Sequence, residues 1–208
     1  MKKMDVHIVG LGNLGSAFFK GLEDLQENTD IYLYEGSKDV RQSIQENYSL
    51  TPKESLDVIS EGVLILCIKP QNINEFFDTY KDKIARDVLI CSPIAGLEIK
   101  TIEKYFENNV LRIMPNLLIQ DKTGFIPFTS NYEGDYLNFI HNILENLGTV
   151  KEVDESMFAI ITALSGSGPA WFYELSNQLV NSGTELGLSL KDSELIIREL
   201  VKALPSLI

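Results

Sequence analysis

Apolar residues recur along this chain in two alternating modes. Short continuous runs at 4–10, 63–68, 88–91 and 110–114, with a weaker one at 30–34, read as strands, and 124–128 as one more. Between them lie stretches with apolar residues at helical spacing: 13–26 carries Leu14, Phe18, Leu22 and Leu25 on one face, and 42–47, 73–80, 99–106 and 137–147 follow. The run Val63 to Ile68 has no polar interruption, as expected of a strand covered on both faces. Strands alternating with helices predict an α/β domain built on a doubly wound, mainly parallel sheet of Rossmann type, over residues 1–153. The pattern changes from residue 154 on. There the periods are helical only, with Phe172, Leu175, Leu179 and Val180 on one stripe of 170–182 and Leu195, Ile196, Leu200 and Ala203 along 191–204. A small all-helical C-terminal domain over 154–208 is predicted.

Composition narrows the function classes. The chain has 208 residues, is 44% hydrophobic and 23% charged, and needs no disulfide or metal staple at that size. Eighteen Lys and Arg against thirty Asp and Glu leave a net charge of −12, which argues against nucleic acid and anionic membrane as partners. Cys67 and Cys91 each sit in an apolar run and read as small core residues; with only His7 and His141 beside them, no metal site is expected. The start turns into glycines too early for a signal peptide, and no apolar stretch approaches a bilayer span, so a soluble cytoplasmic protein is expected.

The sharpest motif is Gly10-Leu11-Gly12-Asn13-Leu14-Gly15, set between the first strand and the first helix. In that context Gly10 permits a tight turn, Gly12 admits a pyrophosphate to the backbone, and Gly15 allows close packing of helix on strand. The helix N-terminus adds free N–H groups and a positive dipole end. Glu35 ends the second strand twenty residues after Gly15, where an acid accepts hydrogen bonds from an adenosine ribose and repels a 2′-phosphate. That favours NADH over NADPH, although Lys38 and Arg41 stand close enough in sequence to serve a 2′-phosphate instead. Lys69-Pro70-Gln71, Ser92-Pro93-Ile94-Ala95-Gly96 and Met114-Pro115-Asn116 each follow a predicted parallel strand, at the ends where such sheets bind ligands. Leu164-Ser165-Gly166-Ser167-Gly168-Pro169-Ala170 then offers backbone N–H groups to an anion ahead of a helix begun by Pro169.

In combination these motifs resemble the Δ1-pyrroline-5-carboxylate reductase family, with the 164–170 heptapeptide the most specific match and the order kept from Val6 to about Leu204. The resemblance implies reduction of a cyclic imine to L-proline by an NAD(P)H-dependent oxidoreductase, with no catalytic side chain required. It implies that Gly10, Gly12, Asn13, Leu14 and Gly15 hold the pyrophosphate. Ile68, Lys69 and Pro70 would run along the ribose and nicotinamide side, with Ala95 and Asn116 near the nicotinamide, while Ser165, Gly166, Ser167 and Gly168 border the substrate. It also implies a homodimer or larger homo-oligomer. Trp171 and Phe172, opening the helix of the second domain, read as core or dimer contacts rather than a cofactor platform. Family members continue past the helix matching 190–204 into a segment that completes the pocket and dimer, so the helical domain is expected to be incomplete relative to the family. Glu54, Ser92-Pro93-Ile94 and Leu117-Leu118 depart from its usual pattern. Two other readings stay open: a non-catalytic nucleotide-binding relative, and a dehydrogenase of the 6-phosphogluconate or hydroxyacid type. Against the latter, the helix after Pro169 has no lysine before Lys191.

Overall fold

A computed structural model describes residues 3–25, 29–48 and 50–207. The chain divides into two compact units, Met1–Gly166 and Ser167–Ile208.

The first unit opens with β1 (Met4–Val9), α1 (Asn13–Leu22), β2 (Thr29–Tyr34), α2 (Lys38–Tyr48) and β3 (Val63–Leu66). Then come α3 (Ile73–Tyr80), β4 (Leu89–Ser92), the single turn α4 (Ile99–Ile102), β5 (Val110–Ile113), β6 (Phe125–Ser130), α5 (Asp135–Glu145) and β7 (Thr149–Glu152). The seven strands form one sheet in the order β2-β1-β3-β4-β5-β6-β7. Every pairing is parallel except β5 with β6. The order reverses at β1, flanked by β2 and β3, which is where doubly wound sheets open a ligand crevice.

Two cores form because side chains on a strand point alternately to opposite faces. Val63 and Ile65 pack on one face with Phe18, Leu22, Ile140 and Leu144 from α1 and α5. Leu64 and Leu66 pack on the other with Phe76 and Phe77 from α3 and Ile102 from α4. All four residues of β3 are fully buried, as its unbroken apolar run predicts.

Three local features differ from the sequence reading. The strand β7 was not anticipated, because Thr-Val-Lys-Glu has half-exposed to exposed positions and little apolar signal. The helix expected over 99–106 closes after one turn and continues as irregular backbone, with Phe106 still buried. The helix expected over 13–26 is α-helical only to Leu22 and 3₁₀ from Glu23 to Leu25; residue 26 lies outside the described residues.

Residues 154–166 fold with the sheet unit, beyond the sequence boundary at 153. Phe158, in the short helix α6 (Phe158–Ile161), is buried against the Arg112 guanidinium, 4.4 Å from its ring centroid. Glu155 accepts from Arg112 at 2.7 Å and from the backbone N–H of Ile99 at 2.9 Å. These anchors hold the segment to β5 and α4. A π-helical turn, Thr162–Gly166, ends the unit.

The second unit is two helices, α7 (Gly168–Glu185) and α8 (Leu190–Ala203). Pro169 sits in the first turn of α7, where its missing N–H costs nothing. Ser189 caps α8 by accepting from the N–H of Asp192. A Cβ on Gly183 would stand 2.6 Å from Ser193 Oγ, so the absent side chain lets the two helices approach closely. No strand occurs among the described residues from 154 onward.

Candidate active site

The glycine loop bends directly off the end of β1. Gly10 has φ +85°, and its Cβ position lies 2.6 Å from the Cys67 carbonyl oxygen. A Cβ on Gly15 would meet the Gly10 carbonyl at 1.9 Å, so the start of α1 rests on the turn itself. Gly12 differs: it is the N-cap of α1 with an ordinary φ of −66°, and nothing lies within 4 Å of a Cβ there. The backbone at Gly12 is thus an open approach to the first turn of α1, whose leading N–H groups have no intrahelical partner. The Gly10 N–H donates to the Tyr34 carbonyl at 2.9 Å, and Ser16 Oγ donates to the Leu11 carbonyl at 2.8 Å. These bonds fix the loop between β1, β2 and α1.

Glu35 follows β2 and faces that loop. Its Oε2 accepts from the Leu11 N–H at 2.7 Å and its Oε1 from the Ser37 N–H at 2.8 Å. Arg41, on α2, donates through Nη1 to the carbonyls of Glu35 and Gly36, both at 2.8 Å, and through Nη2 to Glu54 Oε2 at 3.0 Å. A cleft of about 420 Å³ joins Gly10, Glu35 and Ile68, closing on α3 through Asn72, Glu75 and Tyr80. The sequence reading had not picked out those last three. Their spacing of three to five along one helical stretch was the available signal.

Since β1, β3, β4 and β5 are parallel, the clusters after them share one edge of the sheet. Ile68 is half-buried; Lys69 and Pro70 are exposed, with Lys69 extended and Pro70 starting a 3₁₀ turn. Ala95 is exposed beyond the buried Ser92-Pro93-Ile94. Asn116 is buried: its Oδ1 accepts from the Leu118 N–H at 3.0 Å and its Nδ2 donates to the Ser165 carbonyl at 2.9 Å. That bond joins the end of β5 to the π-helical turn, a backbone form often kept at functional sites. Gly166 lies beside Met114, whose Cγ is 3.9 Å from its Cβ position. Asn13 and Leu14 lie in the first turn of α1, Asn13 exposed and Leu14 half-buried. Ser167 and Gly168 belong to the second unit, where they start α7.

Neither cysteine is poised for chemistry. Burial pushes both thiols up, away from thiolate formation at neutral pH. No group of three or more His, Cys, Asp and Glu that could hold a metal ion occurs among the described residues.

Comparison with known proteins adds a second line of observation. A family model described as NADP oxidoreductase coenzyme F420-dependent matches residues 5–96, and one described as Pyrroline-5-carboxylate reductase dimerisation matches 155–208. The pyrroline-5-carboxylate reductase of Staphylococcus epidermidis is 32% identical over 211 residues, covering 95% of this chain and 76% of that protein. The Staphylococcus aureus enzyme is 33% identical over the same shares. This chain belongs to the pyrroline-5-carboxylate reductase family. Among solved reductases, that of Streptococcus pyogenes superposes with a TM-score of 0.82 at 26% identity, covering 98% of this chain and 79% of that one. The Plasmodium falciparum reductase, solved with NADP bound, gives a TM-score of 0.81 at 24% identity, with 96% and 77% covered, which bears on the fold. Family membership makes the chain an oxidoreductase, and a dimerisation-type match over the helical region accords with homo-oligomer formation.

Proposed function

We propose that this protein reduces Δ1-pyrroline-5-carboxylate to L-proline at the expense of NAD(P)H, as the last step of proline biosynthesis, in the cytoplasm and as a homodimer or larger homo-oligomer. The observation that carries the reading is the open backbone at Gly12, set at the reversal point of a parallel sheet in a member of this reductase family. When bound, the dihydronicotinamide supplies the hydride for the imine carbon.

The protein's own residues bind and orient. Gly12, Asn13 and Leu14 present the first-turn N–H groups of α1 to the pyrophosphate, while Gly10 and Gly15 hold that turn rigid. Glu35 takes the adenosine ribose; Ile68, Lys69 and Pro70 flank the cofactor toward the nicotinamide. Asn116 fixes the Ser165 carbonyl, and with Ala95 it bounds the nicotinamide end. Residues 165–168 offer N–H and hydroxyl donors to the substrate carboxylate. Holding two reacting rings in register is itself a large rate effect, equivalent to an effective molarity of roughly 10⁵ M or more in well-oriented systems, so no side-chain nucleophile is needed. Domain roles follow as nucleotide binding by the sheet domain and substrate binding with self-association by the helical one.

The decisive assay is oxidation of NADH and NADPH with and without pyrroline-5-carboxylate. Cofactor oxidation that depends on the imine is expected; a folded protein that binds cofactor without turnover would instead be a non-catalytic relative. Gly12→Val isolates the loop. A Cβ there meets nothing within 4 Å, so the melting temperature should hold while cofactor affinity falls by about tenfold or more. Unchanged affinity would sink the loop assignment.

A further inference from the structure

The cleft beside Glu35 bears on the cofactor's 2′ position through the way the protein uses its own donors. A bound 2′-phosphate, dianionic at neutral pH, needs cations or free N–H groups. Several donors beside the end of β2 are already engaged. The Ser37 N–H donates to Glu35 Oε1, the Leu11 N–H to Glu35 Oε2, and Arg41 spends its guanidinium on two backbone carbonyls and the Glu54 carboxylate. Arg41 is itself largely buried, its side chain 17% exposed, so it is a strut of the β2–α2 turn rather than a mobile arm. Among the described residues, three carboxylates line the cleft, Glu35, Glu54 and Glu75, and no Lys or Arg does.

A 2′-hydroxyl meets the opposite situation. Each carboxylate oxygen of Glu35 accepts one backbone hydrogen bond and keeps a second acceptor site, so it can take a ribose hydroxyl without rearrangement. We infer that this protein is specific for NADH, with Glu35 as the specificity-determining residue and Arg41, held by Glu54, removed from phosphate recognition. Lys38 and Arg41, the alternatives suggested by sequence, differ in this respect: Arg41 is neutralised in place, and Lys38 is exposed and does not line the cleft. The inference rests on the dinucleotide reading proposed above.

The test is direct titration of NADH and NADPH by nucleotide fluorescence, which needs no turnover. NADH should bind at least about tenfold more tightly than NADPH. Glu35→Gln should bring the two affinities together by weakening NADH and relieving the repulsion of NADPH. Arg41→Ala should leave the ratio of affinities unchanged. Equal or tighter binding of NADPH by the unaltered protein overturns the inference, as does a selective loss of NADPH in Arg41→Ala. Those results leave the reductase reading standing. Tight NADH binding with no imine-dependent turnover removes the reductase reading and supports the inference, and binding of neither nucleotide removes both.

Discussion

Two apolar runs in this chain meet opposite fates. Val63–Leu66 is entirely buried, sandwiched between helices on both faces of the sheet. Trp171, Phe172 and Tyr173 are 68%, 60% and 73% exposed, and α7 buries no residue at all. The amino acids are comparably apolar; what differs is the number of layers. A sheet strand finds two cores, whereas α7 and α8 lie against each other, with a close approach at Gly183 and Ser193. Leu175, Leu179, Leu195 and Leu200 extend the exposed apolar surface along both helices. A surface of that extent marks an interaction site, which fits the dimerisation-type match over the same residues. Apolar patterning thus states that a face must be covered, and the fold decides whether the chain covers it alone.

The sharpest way to break this contrast is a matched pair of truncations. Phe18→Ala, in the fully buried core on α1, should cost about 3–5 kcal/mol in urea unfolding. Trp171→Ala should change unfolding of the dissociated chain by less than about 0.5 kcal/mol, yet weaken self-association in sedimentation. A large stability loss from Trp171→Ala at concentrations where the chain is monomeric would erase the distinction. A smaller effect sharpens where the sheet unit ends. Glu155→Gln leaves the buried Arg112 guanidinium without its counter-charge, and with Glu155 itself 29% exposed the cost should be about 2 kcal/mol. If stability does not change, residues 154–166 are not anchored through this pair.

A last effect concerns pH. His7 is buried, stacked on Tyr32 at 4.8 Å, and burial holds its pKa at about 4 rather than 6.5. Between those values the unfolded chain binds a proton that the folded one refuses, so stability falls as pH drops from 6.5 toward 4 and is retained above 6.5. His7→Phe should flatten that part of the stability profile relative to the unaltered protein. An unchanged slope would show that His7 does not carry it.

Much of the fold was legible because its signals are local. Val63–Ile68 announced a doubly covered strand, and the glycine motif announced the tight turn from β1 into α1. Strand β7 stayed hidden, since its parallel pairing with β6 is set by a distant partner rather than by its own Thr-Val-Lys-Glu. The same limit applied at the site. The place of Glu35 at the end of β2 was legible from its spacing, but that Arg41 braces the turn through Glu54, thirteen residues away across a loop, was not. The Asn116 bond to the Ser165 carbonyl, likewise, spans 49 residues that no local pattern connects.

The three glycines of the nucleotide loop divide the consequences of mutation between them. A side chain at Gly15 collides with backbone, and one at Gly10 adds a forbidden dihedral to a collision, so change at either is visible as lost protein. A Cβ at Gly12 meets nothing within 4 Å. A library of variants screened for solubility or heat resistance would therefore pass small Gly12 substitutions as neutral, and under the proposed cofactor role inactive, well-folded molecules would accumulate at that one position.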